Sequence, residues 1–111
     1  MSRELVLLSD IPLTPDLMAH AARGVIPDGT GVSYRDGEVT QFLDAAGRPV
    51  LTVFDAMPVH VPEEAAVLLQ DPPVSFALWT DITVPFAASP ASSALADALA
   101  GAVGGTLREK R

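Results

Sequence analysis

Three aspartates fall where a strand would not choose them. Asp10 follows the apolar run ELVLLS (4–9), Asp55 follows VLTVF (50–54), and Asp81 lies inside LWTDITV (78–84). Strand interiors disfavour aspartate, and a lone carboxylate is costly to bury. Each must therefore face solvent, cap a backbone group or line a cleft. If the strands of Asp55 and Asp81 are neighbours, the two carboxylates share a face and a pair with raised pKa follows. His60, in DAMPVH (55–60), stands where Pro58 limits pairing and the chain leaves the sheet. Beside a carboxylate it has the means of an acid–base group or of one metal ligand; otherwise it is a loop histidine ahead of a helix start at Pro62. Trp79 alternates onto the face of Ser75, Ala77, Asp81 and Thr83, opposite the apolar stripe, so either a loop or a partner covers it. The candidate binding residues are Asp10, Asp55, His60, Trp79 and Asp81.

Asp10 and Asp81 also share a context. LSDIPLTPD (8–16) and LWTDITVPFAASP (78–90) both run from an apolar stretch through Asp-Ile to a Ser/Thr-Pro pair. Helix initiation accounts for Thr14-Pro15 and Ser89-Pro90, because the hydroxyl caps and proline suits the first helical position. Neither capping nor burial requires the two aspartates. On neighbouring strands they are expected to emerge near one end of the sheet.

Other chemistries lack their residues. The chain has no cysteine, which excludes disulfides, thiol catalysis, zinc-thiolate sites and iron–sulfur clusters. No G-x-S-x-G elbow is present; Ser89, Ser92 and Ser93 are read as cap and solvent face. His20 and His60 lie in different elements, without the spacing of a metalloprotease helix. Gly29-Thr30-Gly31 has no following lysine and opens a strand rather than a helix, so it does not cradle phosphate. No catalytic residue, metal or cofactor is assigned.

Between residues 4 and 107 thirteen acids stand against Arg23, Arg35 and Arg48, a balance of −10 within a net charge of −7. Such a surface repels phosphate backbones and anionic lipid, so neither nucleic acid nor membrane is the expected partner. The opening MSRELVLLSD lacks the long apolar run and cleavage site of a secretory signal, and no apolar stretch reaches membrane-spanning length. A cytoplasmic protein is expected.

These side chains need a frame. At 111 residues and 49% hydrophobic, the chain has one domain's worth of core. ELVLLS is continuous enough for a strand covered on both faces. From Thr14-Pro15 a helix is predicted, with Leu17, Met18, Ala21, Ala22 and Val25 buried and Gly24 as its stop. Residues 31–57 read as a three-stranded meander turning at Asp36-Gly37 and again at 46–49. A short helix follows Pro62 and ends at Asp71-Pro72-Pro73. Period-two alternation over 74–84 predicts one long strand, and Ser89-Pro90 opens a helix stopped by Gly104-Gly105. Residues 106–111 are read as a short edge strand, with 107–111 fraying.

The order β-α-β-β-β-α-β-α predicts an α+β two-layer sandwich, a mainly antiparallel sheet with helices on one face. Acidity without a catalytic constellation favours a non-enzymatic interaction domain with a protein partner, a basic one, such as an immunity- or antitoxin-like inhibitor of a basic effector. One alternative is a small-molecule-binding domain or minor enzyme with a pocket near His60, Asp55 and Asp81. The other is a self-associating module, a homodimer through the 74–84 strand.

Overall fold

Ten elements arise from these patterns in the computed structural model, which describes residues 3–85 and 89–110. Phe86 and Arg111, the latter closing the expected frayed tail, lie outside them. In strand β1 (Arg3–Ser9), Leu5, Val6, Leu7 and Leu8 are all buried, as a strand covered on both faces requires. The meander supplies β2 (Thr30–Tyr34), β3 (Val39–Leu43) and β4 (Pro49–Phe54). It is followed by the two-residue β5 (Met57–Pro58), then β6 (Leu78–Val84) and β7 (Thr106–Glu109). The strands lie in the order β2-β3-β4-β6-β1-β7, with β5 paired to β6 beyond the end of β4, and every pairing is antiparallel.

The two long helices, α1 (Pro15–Val25) and α3 (Pro90–Val103), pack on one face of this sheet. There Leu5, Leu7, Phe42, Leu51, Ile82, Leu95 and Leu99 form the main core of the α+β sandwich. Val6 and Leu8 point the other way, into a smaller cluster with Ala65, Leu69 and Phe76. That cluster lies beneath the connection between β5 and β6, which includes the single-turn helix α2 (Ala65–Leu68). No described helix is long and apolar enough to cross a membrane.

The helix starts follow their caps. Thr14 Oγ1 accepts from the Leu17 N–H (3.2 Å). At α3, Ser92 Oγ accepts from the Ser89 N–H (3.4 Å). The stop of α3 is also as expected: Gly104 turns left-handed, and the Gly105 N–H closes onto the Ala100 carbonyl (2.9 Å). Gly105 is fixed by space as well, since a Cβ there would meet Leu7 Cδ1 at 2.7 Å and the Leu8 carbonyl at 2.8 Å.

Several expectations are corrected. Gly24 does not stop α1, which runs to Val25; Ile26 leaves the helix because Pro27 follows it, and a residue before proline avoids helical geometry. The turn at Asp36-Gly37 is longer than a two-residue hairpin: Arg35, Asp36 and Gly37 all take positive φ between β2 and β3. The helix after Pro62 is only a tight turn over Pro62–Glu64 followed by Ala65–Leu68. It ends early because Leu69 goes extended, is fully buried, and bridges to Lys110. Ser92, read as facing solvent, is buried, and its hydroxyl donates to the Val50 carbonyl (2.9 Å), joining α3 to β4.

The long strand predicted over 74–84 begins only at Leu78. Upstream, Val74 is 95% exposed while Phe76 is buried in the smaller cluster, not on the Ile82 face. The Ala77 N–H is taken by the Ser9 carbonyl (3.2 Å) and by Asp10 Oδ1 (3.1 Å). Packing of Phe76 against Val6 and Leu8 therefore overrides the alternation. β6 is also interior, bonded to β1 on one side and to β4 and β5 on the other. Among the described residues it therefore has a neighbouring strand on each side, and the outermost strands of the sheet are β2 and β7. At the other end of the chain, pairing of β7 with β1 is followed by the Lys110 N–H donating to the Glu4 carbonyl (3.0 Å), where fraying was expected.

Candidate functional site

Within β6, side chains alternate as the sequence predicts. Thr80, Ile82 and Val84 are buried toward the main core, and Trp79, Asp81 and Thr83 face the opposite side, half-buried. The register with β1 sets Trp79 beside Leu8 and Asp81 beside Val6. Trp79 thus packs against the smaller cluster, partly covered by the chain from β5 onward.

The wall opposite β1 depends on a local irregularity. β4 pairs Val53 with Ile82, and β5 pairs Met57 with Trp79. Phe54, Asp55 and Ala56 therefore stand against Thr80 and Asp81 alone, one residue in excess. This is a β-bulge, which bends the strand and re-aims its side chains. Here it leaves both Phe54 and Asp55 exposed beside Asp81.

Two adjoining hollows result. The larger, about 540 Å³, is lined by residues 57–61, Glu64, Ala65 and Leu68, with Trp79, Asp81 and Lys110. The smaller, about 340 Å³, takes Glu4, Phe54, Asp55 and Thr83 and shares Met57, Asp81 and Lys110 with the first. Sharing those three residues, they form one open trough on the face of the sheet opposite the main core, with Asp81 between them.

Asp81 Oδ1 is doubly engaged. The Trp79 indole N–H donates to it at 3.1 Å, and the Lys110 ammonium sits 2.9 Å away. Among the described residues Asp81 Oδ2 accepts no hydrogen bond. Lys110 and Asp81 are 24% and 30% exposed, whereas the pairs Arg3–Glu109 and Arg48–Asp44 each have at least one widely exposed partner.

Of the five residues singled out in the sequence, four meet here: His60, Trp79 and Asp81 line the larger hollow, and Asp55 with Asp81 the smaller. Asp10 does not join them. Its strand neighbours that of Asp81, but the antiparallel register leaves Asp10 beyond the Ser9–Leu78 pair, roughly 13 Å along the sheet from Asp81. The expected emergence of the two carboxylates near one end is thus overturned; Asp10 instead accepts from the Ala77 N–H.

Sequence reasoning missed Lys110, Glu4 and the apolar rim of Met57, Val61 and Leu68. No local pattern signals a lysine just past the last strand reaching an aspartate on β6; only the β6-β1-β7 order reveals it. A separate groove of about 280 Å³ between α1 and the β2–β3 hairpin carries Arg23 as its one charged residue and none of the five.

Asp81 is already neutralised by Lys110 and held by Trp79, and among the described residues no hydrogen bond links His60 to a carboxylate. Among those residues, too, no three His, Cys, Asp or Glu side chains are grouped to hold a metal ion. What the trough offers is carboxylates set among exposed apolar side chains. The chain matches no protein-family model, and comparison with curated proteins and with solved structures likewise gives no match.

Proposed function

We propose that this chain is a non-enzymatic interaction domain whose trough receives a basic, partly apolar segment of a protein partner. The observation that carries the reading is the placement of exposed large apolar side chains. Phe54, Met57, Val61 and Leu68, between 38% (Phe54) and 50% (Met57) exposed, all line the two hollows, and Glu4, Asp55, Glu64 and Asp81 stand among them. Four carboxylates stand there against the single ammonium of Lys110, and apolar surface gathered in one place beside a predominance of one charge is the usual character of a docking face. The −10 interior adds a field that speeds encounter with a cationic protein. An inhibitor of a basic effector, of the immunity or antitoxin kind, is the concrete form of this reading. A cytoplasmic setting suits it, since a chain without cysteine loses nothing under reducing conditions.

The test is affinity capture from the source cells by the wild-type chain and by a variant carrying Met57→Glu and Leu68→Glu. Wild type should retain one basic protein at fixed stoichiometry, with binding that weakens severalfold as salt rises and is lost in the variant. Retention of the same protein by the variant sinks the assignment of the trough. A second reading, a small-molecule site, rests on the 540 Å³ volume of the larger hollow, which is ample for a drug-sized ligand. A thermal shift with low-molecular-weight extract, abolished by His60→Ala with Asp81→Ala, would favour it.

A further inference from the structure

The docking reading leaves open what chemistry the trough selects, and Lys110 supplies it. We infer that Asp81 and Trp79 form the seat for a single arginine side chain of the partner, and that Lys110 occupies this seat in the free protein. The inference rests on the docking reading.

Lys110 takes a long route to Asp81. Its backbone lies directly opposite Glu4 on β1, to whose carbonyl its N–H is bonded. Asp81 is on β6, on the far side of β1 and in register with Val6. The two backbones are therefore two strand spacings apart, roughly 10 Å, and the Lys110 and Asp81 side chains bridge that gap by meeting over β1. Lys110 does so although Glu4 is its nearest neighbour across the pair and forms no ion pair among the described residues. At the end of that route the ammonium meets one oxygen of a carboxylate that Trp79 already orients.

That arrangement satisfies Asp81 only in part. Lysine brings a compact point charge to Oδ1, and Oδ2 accepts no hydrogen bond among the described residues. A guanidinium presents parallel N–H donors that can take both oxygens at once, and its plane can also stack on an indole. Arginine therefore makes better use of this carboxylate and of Trp79 than the resident lysine does. The exposed apolar rim of Met57, Val61 and Leu68 would cover the guest's methylenes and its apolar neighbours. Displacement of Lys110 also has a destination, because the Glu4 carboxylate stands opposite it. The exchange swaps one ion pair for two without leaving a charge unpaired. Lys110 is thus an internal competitor that lowers affinity for weak cationic ligands and yields to a bidentate one.

Trp79 is the single tryptophan of the chain, so its emission reports the seat directly. The probes are three peptides, acetyl-Leu-Arg-Leu-amide and its lysine and citrulline counterparts, titrated into wild type, Lys110→Met and Leu68→Glu. In wild type the arginine peptide should give a saturable change in Trp79 emission with an affinity at least threefold above the lysine peptide, and the citrulline peptide none. Lys110→Met keeps the apolar stem and removes the competitor, and should tighten the arginine peptide about fivefold. Unchanged or weaker binding by Lys110→Met, at wild-type circular dichroism and Tm, overturns the competitor role. Citrulline binding as well as arginine overturns the seat. If all three peptides bind alike and Leu68→Glu abolishes all three, the docking face stands while this inference fails. No saturable change with any peptide overturns the seat, and the capture experiment then judges the face separately.

Discussion

An aspartate beside a strand is informative only once its partners are known, and the partners here separate the acids by job. Asp10 closes a backbone donor at Ala77, and Asp81 orients an indole and holds an ammonium. Asp44 organises the turn between β3 and β4. Its Oδ1 accepts from the N–H groups of Ala46 (2.9 Å) and Arg48 (3.0 Å), and Oδ2 meets Arg48 Nε at 3.2 Å. The Arg48 N–H above all, helped by the Ala46 N–H and the Arg48 charge, holds this carboxyl below its ordinary 3.8, against a smaller opposing push from desolvation. A carboxyl whose pKa is lower folded than unfolded contributes stability above the unfolded value, and that contribution is lost as pH falls through the folded one. Asp44→Ala should therefore lower Tm at neutral pH, with the gap to wild type closing as pH drops through and below 3.8. Thermal melts across that range check it; a gap independent of pH removes the carboxylate from the explanation. None of these roles was written beside the residue in the chain. Asp10 and Asp81 sit in matching local contexts, and only the antiparallel register of β1 and β6 assigns one to a loop and the other to the trough.

At the scale of elements, what is encoded locally was legible and what is decided by tertiary burial was not. Thr14-Pro15, Ser89-Pro90 and Gly104-Gly105 announce helix ends because caps act within a few residues. The alternation over 78–84 holds because strand period and burial agree. Over 74–77 they conflict: Phe76 gains more by packing on Val6 and Leu8 than by continuing β6. Likewise Leu69 leaves α2 for the smaller cluster, and the bulge at 54–56 exists because β4 and β5 must both follow β6 with one residue too many. Ser92 is the clearest misreading, a polar residue on the buried face of a helix. Its spacing from Leu95, Ala96 and Leu99 places it inward, and burial is tolerated because its hydroxyl donates to the Val50 carbonyl. Ser92→Ala should cost about 1–2 kcal/mol by losing both this bond and the cap at Ser89. Urea unfolding with an unchanged m-value reads it; a loss below about 0.5 kcal/mol would mean that Val50 finds another donor.

For the whole molecule, the sheet separates two unequal layers, and this division places the trough. The main core draws on β1, β3, β4, β6, α1 and α3, whereas the smaller cluster is held against β1 by Ala65, Leu69 and Phe76 from one irregular connection. That connection is tied to the rest of the fold at few points: the Ala77 N–H to the Ser9 carbonyl (3.2 Å) and Asp10 Oδ1 (3.1 Å), the Leu69–Lys110 bridge, and Arg108 Nε donating to the Asp71 carbonyl (3.1 Å). Segments with few buried contacts open locally at lower free energy than the core that supports them. Truncation in the two layers should accordingly act differently, although Leu69 and Leu99 are both fully buried. Leu99→Ala removes packing between α3 and the sheet and should lower global stability by about 2–5 kcal/mol. Leu69→Ala should instead speed hydrogen exchange of amides in 59–77 by about tenfold or more, while amides of β1, β3 and β4 keep their protection. Its first functional consequence would be loss of a shaped trough rather than unfolding, because Val59, Ala65 and Leu68 line the larger hollow. Equal acceleration across the whole sheet in Leu69→Ala would instead make both layers one cooperative unit, with the trough as rigid as the core beneath it.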